Sequence, residues 1–155
     1  MAEATGFEAA VRRHERELVS FAFRLLGRED AARDAVQDAF LKAHVALTQG
    51  AVPERQRPWL YRLVYHAAVD RLRRAKVEER GRARVAAREP SPVAEDGLER
   101  LLGSLPSPFR EILVLRYAYD FSYVEMEGIL GTPAATLRVY AARALEKLKE
   151  EGHGV

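Results

Sequence analysis

Between Arg55 and Lys76 the chain sets seven basic side chains (Arg55, Arg57, Arg62, Arg71, Arg73, Arg74 and Lys76) against one acid, Asp70, a local charge of +6. Trp59, Tyr61 and Tyr65 are interleaved with them. Cations neutralise phosphates and aromatic faces stack unpaired bases, so this mixture suits single-stranded nucleic acid. The competing reading is a solvated basic face with Trp59 in the core. A neighbouring stretch has the opposite character, with Glu29, Asp30, Asp34 and Asp38 exposed ahead of Phe40. An acidic helix beside a basic one suggests two different partners.

Other chemistries find little support. His14, His44, His66 and His153 have no ligand spacing with one another or with carboxylates, so no metal site is expected. Cysteine is absent, which excludes disulfides, thiol catalysis and Cys-ligated zinc or iron–sulfur centres. Asp34 and Asp38 stand four residues apart, yet no nucleophile or phosphate-binding glycine loop accompanies them. The chain is not expected to be an enzyme or to carry a cofactor.

The elements that must position these residues are helical. Ala, Leu, Arg and Glu dominate the 155 residues, and no stretch alternates with period two. A first helix is predicted over about 8–26, with Leu18, Phe21, Ala22 and Leu25 on one face. Gly27 ends it, and Arg28 to Asp30 open a second that carries Ala32, Val36, Ala39, Phe40, Ala43 and Leu47 on one side. Residues 48–57 read as a loop. Pro58 opens a third helix with Trp59, Leu60, Leu63, Val64 and Ala67 inward. Short connections make these three a bundle.

Residues 77–97 are charged, contain two prolines and lose the apolar period, which predicts a flexible linker, helical at most in its first half. Beyond it, Ser107-Pro108 caps a helix bearing Phe109, Ile112, Leu113 and Tyr117. Ser122 and Glu125 have capping-box spacing, and Thr132-Pro133 caps a last helix with Leu137, Ala141, Ala144, Leu145 and Leu148 buried. Tyr117, Tyr119, Phe121 and Tyr123 are expected to pack together at the helix junction. Short helix, glycine turn and longer helix make helix-turn-helix grammar. The expectation is an all-α chain of two small helical domains, 1–76 and 98–155, joined by that linker. The second is near neutral: from Leu98 onward seven basic residues meet eight acids, net −1. Its electrostatic share in DNA binding would be small. No apolar run approaches the ~18–20 residues of a membrane span, and residues 1–20 are too charged for a signal peptide. No membrane insertion and a cytoplasmic location are therefore expected.

The runs LLGREDAARDAVQDAFLKA and PWLYRLVYHAAVDRLRR resemble region two of the extracytoplasmic-function (group four) bacterial RNA polymerase sigma factors. The segment LPSPFREILVLRYAYDFSYVEMEGILGTPAATLRVYAARALEKLKE resembles their region four. The resemblance implies a sigma region-two bundle and a region-four helix-turn-helix domain. It implies that Asp34, Val36, Gln37, Asp38 and Phe40 bind the beta-prime clamp helices of core RNA polymerase. Trp59, Arg62, Tyr65, His66, Asp70, Arg71, Arg73 and Arg74 would read and melt the minus-ten promoter element. Thr136, Arg138, Val139, Tyr140 and Arg143 would read the minus-thirty-five element, and region four would also contact the beta flap. The chain departs from the family pattern at His66, where Asn is usual, and at Glu127, where a small residue is usual. Val139 and Ala142 on the last helix cannot hydrogen-bond a base edge. Two functions follow: a promoter-specificity factor working with core polymerase, or a sigma-like module that has lost DNA binding and sequesters an anti-sigma factor or polymerase.

Overall fold

The computed structural model describes residues 2–82 and 105–151, and all regular structure among them is helical. The chain divides into two compact units, Met1–Ser91 and Pro92–Val155.

In the first unit α1 spans Ala2–Leu26, α2 Glu29–Thr48 and α3 Gln56–Arg82. Gly27 ends α1 at φ 75°, a left-handed conformation that costs glycine little, and its N–H donates to Phe23 O at 2.7 Å. Asp30 in the first turn of α2 accepts the Ala31 N–H at 2.9 Å, where a negative charge suits the exposed amides. Helix α3 continues past Lys76 to Arg82, through the start of the expected linker. The remainder of that linker, residues 83–97, lies outside the described residues.

Cross-helix pairs fix the register. Glu17 pairs with Arg57, and Phe21 packs on Tyr61 with ring centroids 5.0 Å apart, so α1 and α3 run parallel. Helix α2 runs against both, with Phe7 of α1 beside Phe40 and His44, and Asp38 bonded to Arg71. The core takes Leu18, Phe21 and Ala22 from α1, and Ala32, Ala35, Val36, Ala39 and Ala43 from α2. Leu60, Tyr61, Val64, Ala67 and Ala68 of α3 complete it. The alanine stripe on α2 leaves room for close helix approach. Tyr61, read from sequence as part of the nucleic-acid mixture, is fully buried. It stands four residues after Arg57 and three before Val64, on the inner stripe of α3. Leu25, Trp59 and Leu63, expected inward, are half-buried.

In the second unit α4 covers Phe109–Leu113 and widens into a π-helical turn over Val114–Ala118. Helix α5 spans Tyr123–Leu130 and α6 Ala134–Glu151. The capping box forms as spaced: Ser122 Oγ accepts the Glu125 N–H at 3.1 Å, and Glu125 Oε1 accepts the Ser122 N–H at 2.9 Å. Gly131 closes α5 at φ 79°. The start of α6, expected to be capped by Thr132-Pro133, is capped from outside, where Glu127 Oε1 accepts the Ala134 N–H at 2.8 Å. Ile112, Leu113, Leu115, Phe121, Met126, Ile129 and Leu137 are the largest buried side chains here.

Several inward expectations fail in this unit, where Leu148 is only half-buried. Tyr117 is 59% exposed and Leu145 44% exposed. The π turn inserts an extra residue per turn, with Tyr119 N–H reaching Val114 O at 3.2 Å, so the inward face rotates onto Val114 and Leu115. Leu145 follows buried Ala144 on α6, about 100° further round the helix. Tyr119 and Phe121 are buried as expected of the aromatic cluster, whereas Tyr123 is not.

Candidate nucleic-acid interface

The outer edge of α2 carries Asp34 and Gln37 exposed, with Asp38 and Phe40 half-buried. Val36, expected at the docking surface, is core instead at 2% exposure, because it shares the inner stripe with Ala32, Ala39 and Ala43. Phe40 meets the ring of Phe7 edge-on at 6.5 Å. With Phe7, Val11, Gln37, Leu41 and His44 it lines an open, largely apolar groove of about 370 Å³ between α1 and α2. The acids of α2 are less free than their sequence suggests. Glu29 pairs with Arg33 at 3.0 Å, Asp30 with Arg28 at 3.4 Å, and Asp38 with Arg71 at 2.5 Å.

On α3, Trp59, Arg62, His66, Asp70 and Arg73 recur at three- and four-residue spacing and so share one outward face. Tyr65 flanks it, with its ring centroid 6.1 Å from that of His66. The +6 stripe is largely answered by carboxylates. Arg57 bonds Glu17 at 2.8 Å and lies over the Tyr61 ring. Asp70 draws in Arg73 at 3.8 Å and Arg74 at 3.3 Å. Arg71 is the surprise: expected on DNA, it is tied to Asp38, expected on polymerase, so the structure joins one residue from each set. A count of charge along one segment cannot see partners on other helices. His66 titrates below the usual imidazole range, chiefly through partial burial, then through Arg62 and Lys42, with Asp70 opposing.

On α6, Arg138, Val139 and Arg143 are exposed and Thr136 half-buried. Tyr140 turns inward, edge-on to Phe109 at 5.7 Å, so it supports the helix from behind. Two residues outside the expected set position this face. The Tyr123 ring carries the Arg116 guanidinium at 5.5 Å and that of Arg138 at 5.4 Å, which places Arg138. Glu127 holds the first turn of α6. Sequence spacing signals Ser122 and Glu125 but gives no warning of either contact. No cluster of His, Asp and Glu able to hold a metal occurs among the described residues.

The Sigma-70 region 2 family matches residues 10–78 and the Sigma-70, region 4 family matches residues 95–148. The ECF RNA polymerase sigma factor SigM of Mycobacterium tuberculosis is 33% identical over 147 residues, spanning 92% of this chain and 74% of that relative. This chain belongs to the ECF sigma factors. SigW of Bacillus subtilis, another ECF RNA polymerase sigma factor, is 26% identical over 154 residues, covering 87% of this chain and 82% of its own length. The solved structure of the sigma factor RpoE from Bartonella quintana, determined with the anti-sigma factor NepR, matches with a TM-score of 0.79. At 24% identity over 94% of this chain and 95% of that one, it bears on fold alone. Within the ECF frame, α1 to α3 are the region-two bundle, and α4 to α6 are region four with its helix-turn-helix in α5 and α6.

Proposed function

We propose that this ECF sigma factor binds core RNA polymerase, directs it to promoters and starts transcription there without itself catalysing a reaction. The observation that carries the reading is the pair of sigma regions in order on one chain, with a basic and aromatic face on α3 of the first. Helix α2 docks on the polymerase beta-prime clamp helices through Asp34, Gln37, Asp38 and Phe40, with Val36 holding the helix from beneath. The α3 face, Trp59 to Arg74, takes the melted minus-ten strand, its aromatic rings offering stacking surface and its cations charge. Helix α6 enters the minus-thirty-five major groove with Thr136, Arg138, Val139 and Arg143, backed by Tyr140, and region four also meets the beta flap. The division of labour is residues 1–76 for polymerase and minus-ten, and 98–155 for minus-thirty-five.

An anti-sigma factor is a further partner in this reading. No helix among the described residues is long and apolar enough to cross a membrane, and we place the protein in the cytoplasm, where its polymerase is. A sequestering module is the second reading, favoured by the net −1 of residues 98–155. Run-off transcription with purified core enzyme on a genomic promoter library decides. Discrete transcripts that require this chain support the sigma factor. Stable association with core but no transcript above core alone, together with inhibition of another sigma factor, would favour the sequestering module.

A further inference from the structure

The outer side of α6 has few hydrogen-bonding groups at its middle. Leu137, Ala141 and Ala144 set the buried side of the helix. At about 100° per residue, Val139 lies within about 40° of diametrically opposite each of them. It is 49% exposed. Ala135, four residues before, and Ala142, three after, share that outer line, are exposed, and offer neither donor nor acceptor. The polar groups lie to the sides, with Arg138 on one flank and Arg143 and the half-buried Thr136 on the other. Arg138 is drawn toward α5 by the Tyr123 ring, whose centroid is 5.4 Å from its guanidinium.

A lone exposed valine is ordinary on a protein surface, and its position is what sets this one apart. Helix α6 is the second helix of the helix-turn-helix, in the stretch that matches Sigma-70, region 4. The first turns of such a helix enter the major groove, and Val139 lies in the second turn. Glu146 stands on the same outer line two turns further on, exposed, where DNA phosphates repel its carboxylate. The inserted length therefore ends before Glu146 and centres near Val139. Arg138 and Arg143 flank that centre as cations suited to the phosphates on the groove walls.

What a valine can recognise there is limited. Guanine, adenine and cytosine show only hydrogen-bonding groups in the major groove, and pressing hydrocarbon on them removes water without replacing its bonds. Thymine alone adds a methyl group, at C5. We infer that Val139 reads the C5 methyl of a thymine in the minus-thirty-five element, with Ala135 and Ala142 leaving that apolar contact as the base readout at the middle of α6. This rests on the promoter reading of α6 and adds to it a base class and the atom that is recognised.

The test uses holoenzyme reconstituted from the full chain and core polymerase. The probe is a fluorescein-labelled duplex of a promoter recovered by run-off transcription, made with deoxyuridine in place of each minus-thirty-five thymine in turn. That exchange deletes one methyl and keeps every hydrogen bond. Anisotropy titration should find a position where the uracil duplex binds about fourfold more weakly, the worth of one buried methyl. Val139→Ala should bind the thymine duplex about fourfold or more below wild type and should no longer distinguish the two. Val139→Ile should keep the preference, and Arg138→Ala should weaken both duplexes by the same factor. Circular dichroism and core association of Val139→Ala should match wild type. Wild-type holoenzyme indifferent to uracil at every position, or Val139→Ala that keeps the preference, overturns the assignment while leaving the sigma function standing. Recovered promoters sharing a minus-thirty-five element with no thymine on either strand overturn it as well. A run-off screen that returns no transcript overturns the promoter reading together with the site.

Discussion

The imidazole of His66 is held below its ordinary value by partial burial and by the positive charges of Arg62 and Lys42, against the pull of Asp70. In the unfolded chain the ring protonates near the usual value of about 6.5. As pH falls through that value the unfolded state takes up the proton first, so stability declines until the folded ring also protonates, then levels. Urea unfolding between pH 7 and 5.5 should therefore show a shallower decline in His66→Gln than in wild type. Equal slopes would remove the proposed coupling. Much at this scale was hidden from the sequence. The abundance of Arg and aromatic residues in α3 was plain, but their angular position and distant partners were not. Tyr61 counted with the surface aromatics until packing put it against Phe21, and Arg71 counted as a free cation until α2 supplied Asp38.

Helices and their ends were more legible, because capping depends on residues three or four apart. The Ser122–Glu125 box could be read directly from spacing, and Gly131 marked the turn. The widened Val114–Ala118 turn could not, since nothing in its composition asks for an extra residue per turn. The two glycines of the helix-turn-helix should respond in opposite directions. Gly131 has φ 79° with open space where a Cβ would go, so Gly131→Ala carries only the left-handed backbone penalty, about 1–2 kcal/mol of destabilisation. Gly128 lies inside α5, equally open, and Gly128→Ala should stabilise by about 0.5–1 kcal/mol. Thermal unfolding of both variants checks this. A shift of the same sign in the two would show that something other than backbone conformation governs the turn.

Across the whole chain, the two units carry separate sets of buried residues: Leu18, Phe21, Leu60, Tyr61 and Val64 in one, and Ile112, Leu115, Phe121, Met126 and Ile129 in the other. Distant sites without shared partners contribute additively to stability. Phe121→Ala should cost about 3–5 kcal/mol, a large part of what a small domain has. It should melt the second unit and leave the first folded. Amide NMR spectra would show native shifts for residues of α1 to α3 alongside collapsed dispersion for α4 to α6. Simultaneous loss of both sets would mean that the units fold as one. The division itself was legible, because the apolar period fades between two well-patterned stretches. The point where α3 stops was not, as charged helix and charged linker have similar compositions.

The bond between Asp38 and Arg71 has a consequence for genetics. Each residue sits on a surface proposed for a different partner, yet each also holds the other in place. A defect caused by changing Asp38 cannot be read as a lost intermolecular contact, because the same change releases a guanidinium on the opposite helix. Asp38→Arg is especially ambiguous, since it sets two cations face to face. Second-site suppressors should cluster at residue 71, with the exchanged pair Asp38→Arg and Arg71→Asp regaining fold while reversing the charge shown to both partners. A phenotype that survives this exchange reports on polymerase or promoter, and one that vanishes reports only on the bundle.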